Sequence, residues 1–248
     1  MRLSSSQRAG LLRAISPDRL GTYRAESERS GRDELDLYLW DRDLSAAAMA
    51  DIAILEVALR NSMSTALERR AERADWYSVD IGLDNRSLAA VTRAWQNVPS
   101  SRRTPGRVVA QLTFGFWRNL LEAGGDLGFG PLKRRAGYET LWRTDLHTAF
   151  PGGRAVAAAA DAQFTRGWTL GVVKNVHALR NRAAHHEPVI TGIPLPGESR
   201  RITVEDGLLD CLTLAAALDR DLASWLRGSS RLAQAISAQP AVREEPHC

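Results

Sequence analysis

The residues of this chain best suited to acid–base chemistry lie at the end of one predicted helix. Arg180, Asn181 and Arg182 are followed within four residues by the adjacent histidines His185 and His186. A histidine donates and accepts protons near neutral pH, and an arginine holds a phosphate through two parallel hydrogen bonds without losing its charge. Together these residues supply what the metal-free cleavage of a phosphodiester requires.

The predicted helix that carries these residues is basic. Residues 171–186 have the apolar spacing of a helix, and residues 163–186 include no aspartate or glutamate. A second acid-free stretch, residues 85–121, contains six arginines and is followed by the basic run 133–135. Such local excess suits a polyanion, although the net charge is only +4. The alternative interpretation is an ordinary solvated, arginine-rich surface.

The spacing of Arg180 and His185, with the polar Asn181 directly after the arginine, resembles the R-x4-6-H signature of the HEPN superfamily. More narrowly, the pattern RN-x-x-AHH resembles the Abi-like (abortive-infection) family. Three further phrases resemble the same family: ISPDRLGTY at 15–23, ILEVALRN at 54–61 and LTFGFWRNLL at 112–121. The resemblance spans roughly residues 11–226 and therefore covers most of the chain.

The resemblance implies an endoribonuclease of phage defence or of a toxin–antitoxin system. HEPN proteins typically dimerise with two motif helices facing each other, so a homodimer is expected. His185 would be the general base or acid, Arg180 would bind the phosphate, and Asn181, Arg182 and His186 would support them. Attack by a ribose 2′-hydroxyl needs no metal and no cofactor. RNA is the expected substrate, with tRNA as one candidate, and an antitoxin protein or RNA is a further expected partner.

Two more residues of a family-like phrase carry charge. Glu56 and Arg60 lie four positions apart, on one face of a predicted helix. The simplest interpretation is an i,i+4 ion pair that contributes a few tenths of a kcal/mol. The functional interpretation is that they approach the motif helix in the folded bundle and orient its polar groups.

The motif has a geometric difficulty on an ideal helix. At about 100° per residue, Arg180 and His185 would lie about 140° apart and would not share a face. Two solutions are open: Pro188 disfavours helix at Glu187 and could fray the helix end, or arginine and histidine could come from different protomers. Basic residues at a helix C-terminus also have a purely structural interpretation, because they favour its negative pole.

Two other function classes compete with a ribonuclease. A non-catalytic RNA-binding dimer would use the same residues, because the groups that bind RNA also cut it. A metallohydrolase has less support, since the chain lacks H-E-x-x-H and paired carboxylates near the histidines, and Glu187 alone is not enough. Cys211 and Cys248 form no C-x-x-C pair, so neither a zinc site nor a disulfide framework is expected.

The patterns predict an all-α fold, a HEPN-like helical bundle with a helical insertion. We expect one domain over 1–238, an insertion at about 75–150 and a flexible tail at 239–248. A long helix is predicted over 32–72, with a break near 41–45, and a final helix over 203–228. Phe114, Phe116 and Trp117 are expected in the core. No apolar run approaches the ~20 residues that span a bilayer, and no signal core follows Met1, so a cytoplasmic protein is expected.

Overall fold

The structure is a computed structural model that describes residues 3–242. Over this range the chain is all-α, as predicted, and two-residue strands form its only two sheets. The α-helices are α1 (Ser5–Ala14), α2 (Pro17–Ser30), α3 (Glu34–Ala71), α4 (Asn85–Asn97), α5 (Pro105–Val109), α6 (Phe114–Asn119), α7 (Tyr138–Thr144), α8 (Gly153–Ala159), α9 (Arg166–Ala184), α10 (Val204–Leu218), α11 (Arg220–Ser229) and α12 (Arg231–Ser237). None of these helices has the length and apolar character needed to cross a membrane.

Short elements complete the described chain. The antiparallel strand pairs are β1 (Asp126–Leu127) with β2 (Arg134–Arg135), and β3 (Ile193–Pro194) with β4 (Arg201–Ile202). Single 3-10 turns occupy Trp76–Ser78, Ser100–Arg102, Gly130–Leu132 and Leu146–Ala149. The sequence showed no period-two pattern for these strands, because two residues are too few to produce one.

The chain divides into two compact units, each assembled from separate stretches of sequence. Unit 1 comprises residues 1–51, 178–208 and 230–248, and unit 2 comprises residues 52–177 and 209–229. The end of α9 therefore lies in unit 1, and the predicted insertion at about 75–150 lies in unit 2. The single domain predicted over 1–238 stays a prediction. Of the predicted tail, residues 243–248 lie outside the described residues.

The long helix α3 is continuous, so the break predicted near residues 41–45 does not occur. It contains no proline or glycine, and an apolar stripe that includes Leu35, Leu44 and Leu55 is completely buried. Asp41 and Ser45, at the site of the predicted break, are themselves buried, with 4% and 9% of their surfaces exposed. Two buried polar side chains in an unbroken helix need partners from elsewhere.

Asp41 finds its partners far along the chain, within unit 1. Its Oδ1 accepts hydrogen bonds from the amides of Val189 and Ile190 at 2.7 and 2.9 Å. Its Oδ2 accepts the hydroxyl of Tyr23, on α2, at 2.8 Å. One carboxylate therefore connects α2, α3 and the segment that follows the motif.

Asp51, three turns further along α3, has a similar role. It accepts the hydroxyl of Ser230 at 2.6 Å and the amides of Arg231 and Leu232 at 3.1 and 3.0 Å. Ser230 is the N-cap of α12, whose first amides lack partners within the helix. Asp51 therefore fixes the start of α12 against α3.

The final predicted helix, 203–228, is two helices instead of one. α10 ends at Leu218 and α11 begins at Arg220. Asp219 lies between them, and its carboxylate accepts the amide of Leu222 at 2.7 Å, as an N-cap residue does. The continuous helix was wrong because neither proline nor glycine marks this break.

The aromatic residues of the FGFW phrase are buried in unit 2, as predicted. Phe114, Phe116 and Trp117 are 1%, 3% and 0% exposed. Trp76 is also completely buried, and its ring lies 6.2 Å from those of Phe116 and Trp117. Its indole N–H donates to Ser64 Oγ at 3.0 Å, which satisfies its polar group. These rings are therefore core residues.

Replacement of Asp41 tests how much the carboxylate stabilises unit 1. Asp41→Ala should lower the free energy of unfolding by about 3 kcal/mol or more, because it leaves a buried hydroxyl and two amides without their acceptor. Asp41→Asn keeps an acceptor oxygen for the two amides and should cost much less. Denaturant unfolding followed by circular dichroism measures both variants, and equal losses would contradict this role.

The wild type and Asp41→Asn should also differ in how their stability depends on pH. Burial raises the pKa of Asp41, against hydrogen bonds from Ile190, Tyr23 and Val189 that lower it. The folded chain then holds this proton more tightly than the unfolded chain. Stability should therefore fall as the pH rises from about 4 through the folded-state pKa. Asp41→Asn should lack this fall, and a stability difference that is constant over this pH range would contradict the assignment.

Candidate functional site

The predicted site residues lie where α9 ends. The helix ends at Ala184, two residues before the end of the predicted run 171–186, so the histidines lie just beyond it. The amide of His185 still donates to the carbonyl of Asn181 at 3.0 Å, an i→i−4 helical bond. His185 is therefore the C-cap residue, and its backbone retains the helical path.

His186 is the residue at which the chain turns away. Its φ is 56°, in the left-handed region that glycine usually occupies. Its amide donates to Ala183 O at 3.1 Å, and the amide of Glu187 donates to Arg182 O at 3.0 Å. These two bonds define a Schellman motif, which satisfies carbonyls at the helix end. A side chain other than glycine in this conformation costs of order 1 kcal/mol or more, and such strain is common at functional sites.

The backbone path at the helix end bears on the angle between Arg180 and His185 around the helix axis. Because the backbone of His185 still follows the helix, the separation of about 140° from Arg180 is not removed by fraying. The departure begins only at His186. Within one chain, a site built from Arg180 and His185 would have to bridge this separation.

Arg182 stabilises the turn. Its Nη1 lies 3.0 Å from Glu187 Oε2, and its Nε donates to the carbonyl of Pro188. Burial lowers the pKa of Arg182, and the charge of Glu187 opposes that effect. The guanidinium predicted as a supporting substrate contact is thus engaged in holding the turn that presents the histidines.

The motif side chains differ in their access to solvent. Arg180 and Asn181 are half-buried, whereas His185 and His186 are exposed. Imidazoles in this position can meet a large ligand such as RNA without a change of fold. The structure therefore gathers all five predicted motif residues at one helix end of unit 1.

Glu56 and Arg60 lie on the half of α3 that belongs to unit 2. Both are half-buried, and Arg60 lines a cavity of about 260 Å³ together with Asn61 and Glu68. Their predicted approach to the motif helix stays a prediction.

The acid-free stretches of sequence are not acid-free in space. Arg86 and Arg118, from the stretch 85–121, both bind Glu122, at 2.7 and 2.9 Å. Lys133 lies 2.9 Å from Asp126, in the same hairpin of strands β1 and β2. Part of the positive charge that suggested a polyanion is therefore neutralised locally.

Positive charge at the start of the basic stretch 163–186 is also neutralised by an acid. Arg166, the first residue of α9, binds Glu139 at 2.8 Å and donates to the carbonyl of Leu121 at 2.6 Å. The linear sequence concealed this pairing because Glu139 precedes Arg166 by 27 residues.

Sequence reasoning missed the residues of unit 1 that frame the motif. Asp41, Tyr23 and Arg19 line a cavity with His186, and none of them was predicted as a site residue. One signal was present in the sequence: Asp41 interrupts the apolar stripe of a long helix, where an acid is expensive unless it is paired.

No cluster that could hold a metal ion is formed by three or more histidine, cysteine, aspartate or glutamate side chains of residues 3–242. Cys211 is buried on α10, and Cys248 lies outside the described residues.

No family model, curated protein or solved structure matches the chain. The resemblance to the Abi-like family therefore stays a prediction. It depends on the residues of the motif and of the three further phrases.

Replacement of His186 by glycine tests whether the left-handed conformation of this residue strains the folded chain. Glycine relieves the left-handed strain, so His186→Gly should leave the free energy of unfolding unchanged or raise it by up to about 1 kcal/mol. His186→Ala should not be stabilising, because alanine retains the strain. Thermal unfolding of both variants measures the difference, and a loss of stability in His186→Gly would show that the imidazole itself supports the fold.

Proposed function

We propose that this protein is a metal-independent endoribonuclease of the Abi-like type, in the HEPN superfamily, that acts in phage defence or in a toxin–antitoxin system. The proposal rests on the resemblance of the motif and three further phrases to that family. One observation carries it at the site: an exposed His185 caps the helix that bears Arg180, and the next residue is held in a strained conformation.

The proposed reaction uses the ribose 2′-hydroxyl as nucleophile. An imidazole, that of His185, takes the hydroxyl proton while the 2′-oxygen attacks the adjacent phosphorus. The bond from phosphorus to the 5′-oxygen breaks, and a protonated imidazole returns a proton to that oxygen. The products are a 2′,3′-cyclic phosphate and a 5′-hydroxyl. Arg180 binds the phosphate and stabilises the charge that develops on its oxygens, while Asn181 orients one of the two groups.

The site is proposed to be shared between two copies of the chain. The hydrogen bond from the His185 amide to the Asn181 carbonyl keeps the backbone of His185 helical, so Arg180 and His185 diverge around α9 within one chain. Two motif helices facing each other across a two-fold axis would place the arginine of one copy near the histidine of the other.

Alanine variants test the roles of the two residues. Arg180→Ala and His185→Ala should each lower the cleavage rate of a mixed-sequence RNA by about 100-fold or more, with EDTA present throughout. The all-DNA equivalent should not be cut, and mass spectrometry should find cyclic-phosphate ends. Arg220→Ala, which removes an arginine with 94% side-chain exposure, is the matched control and should cleave normally.

Two results would count against this assignment. Undiminished cleavage by both alanine variants would remove the residues from the mechanism. Cleavage abolished by EDTA would favour a metallohydrolase. Unfolding of the variants, detected by circular dichroism, would make their lost activity uninformative, and Arg180→Lys and His185→Gln would then repeat the measurement with similar side-chain volumes.

Mixing the two inactive variants tests the shared site. If each site takes Arg180 from one copy and His185 from the other, a dimer of Arg180→Ala with His185→Ala contains one intact site. Equal mixing followed by subunit exchange should therefore restore about a quarter of the wild-type rate, since about half of the dimers are mixed. No recovery despite proven exchange would contradict an arginine and a histidine acting across the interface.

A second candidate is a non-catalytic RNA-binding dimer. It is favoured because three motif residues have structural roles. Arg182 binds Glu187 and the carbonyl of Pro188, and His185 and His186 form the helix cap. Such a protein would retain RNA binding with no cleavage by the wild type in any buffer. The assay with EDTA and with added divalent cations distinguishes it from the ribonuclease.

A further inference from the structure

A ligand-sized cavity lies beside the histidines, within unit 1. Its volume is about 470 Å³, within the range of about 300–1,000 Å³ that small-molecule sites occupy. Helices α2 and α3 form two walls, and residues 183, 184 and 186 at the end of α9 complete the lining. The cavity therefore opens where the proposed reaction would take place.

Aromatic rings line one side of this cavity. Tyr23 and Tyr38 meet edge to face, with ring centroids 5.1 Å apart and planes at 75°. Tyr23 is 1% exposed and its hydroxyl donates to Asp41, so it is fixed in place. Tyr38 is only half-buried. A half-buried tyrosine beside an open cavity is suited to stack against a flat ring, and Met49 on the lining adds apolar surface.

Two arginines and one carboxylate are the charged groups that line the cavity. Arg19 lies on α2, and Arg42 lies on α3, where it also contacts Asp43 at 2.7 Å. The imidazole of His186 lines the cavity as well. The one carboxylate among the lining residues, Asp41, has both oxygens occupied, by the hydroxyl of Tyr23 and by two backbone amides. An anionic group is therefore favoured over a cationic one. Ser45, 9% exposed, adds a hydroxyl that can hydrogen bond to a ring edge.

A flat ring joined to an anion is the chemistry of a nucleotide. Because His186 directly follows His185, RNA bound at the proposed site would pass the mouth of this cavity. We infer that the cavity binds the base of the nucleotide next to the cleaved bond, with the phosphate of that nucleotide on Arg19 and Arg42. This inference rests on the proposed ribonuclease function, and it identifies the portion of the substrate that the protein selects.

Filling the cavity from its rim provides the test. Ala46 lines the cavity, yet it is exposed on α3, so Ala46→Trp can obstruct the space without disturbing the core. Ala53→Trp is the matched control, because Ala53 is exposed about 10 Å further along α3 and does not line the cavity. Both changes are made in the His185→Ala background, in which RNA is expected to stay intact.

The measurement is the affinity of a fluorescent, mixed-sequence RNA oligonucleotide for each variant. Ala46→Trp should weaken binding about tenfold or more, as expected for the loss of one stacked base, and Ala53→Trp should leave it within about twofold. Arg42→Gln should weaken binding less, and most at low salt, against Arg220→Gln as its control. In the active protein, Ala46→Trp should also flatten the base preference next to the cleavage sites.

The outcomes distinguish a failure of the base-binding cavity from a failure of the proposed ribonuclease function. Equal affinities of Ala46→Trp and Ala53→Trp, with unchanged base preference, would overturn the base-binding cavity even if cleavage is proven. A wild type that never cuts RNA would overturn the ribonuclease. In that case a selective loss of RNA affinity in Ala46→Trp would still support a cavity that binds a base.

Discussion

A carboxylate removed from water must be matched by hydrogen-bond donors, or it destabilises the fold by several kcal/mol. Asp41 meets this condition only when Val189 and Ile190 supply their amides. On the other side of the same turn, Arg182 is bonded to Glu187 and to the carbonyl of Pro188. The histidines lie on a short turn that is therefore held at both ends, and an exposed loop of this length would otherwise have many conformations. Burial of one acid thus sets the conditions for any chemistry at the motif.

Much of the all-α architecture could be predicted from apolar periodicity. The long stripe of α3, the capped start of α2 and the end of α9 before Pro188 all follow from local sequence, because helix signals act within a few residues. The break at Asp219 could not be predicted in the same way. An aspartate can continue a helix or cap the next one, and here the capping bond to the amide of Leu222 decides. The two-residue strands give no periodic signal at all.

The motif residues of the candidate site could be predicted from the sequence, but the cavity beside them could not. Arg180, Asn181, Arg182, His185 and His186 are close in sequence, so one helix end necessarily gathers them. The cavity was hidden because its walls come from α2 and α3, more than 130 residues earlier in the chain. The basic stretches were overestimated for the related reason that Glu122 and Glu139 bind arginines 36 and 27 residues away. Composition windows count neighbours along the chain, whereas electrostatics acts between neighbours in space.

The two acids of α3 also have a consequence for the order of events on the ribosome. The backbone donors of Asp41 lie 148 and 149 residues later in the chain, and the donors of Asp51 lie 179 to 181 residues later. Unit 2 is mostly one continuous stretch, 52–177, whereas unit 1 needs both the first and the last segments of the chain. Contacts so distant in sequence form late, since the intervening chain must be made and closed first. A nascent or truncated chain that ends before Ile190 therefore lacks the two amides that satisfy Asp41, and Asp51 gains its donors only after Leu232 has been made.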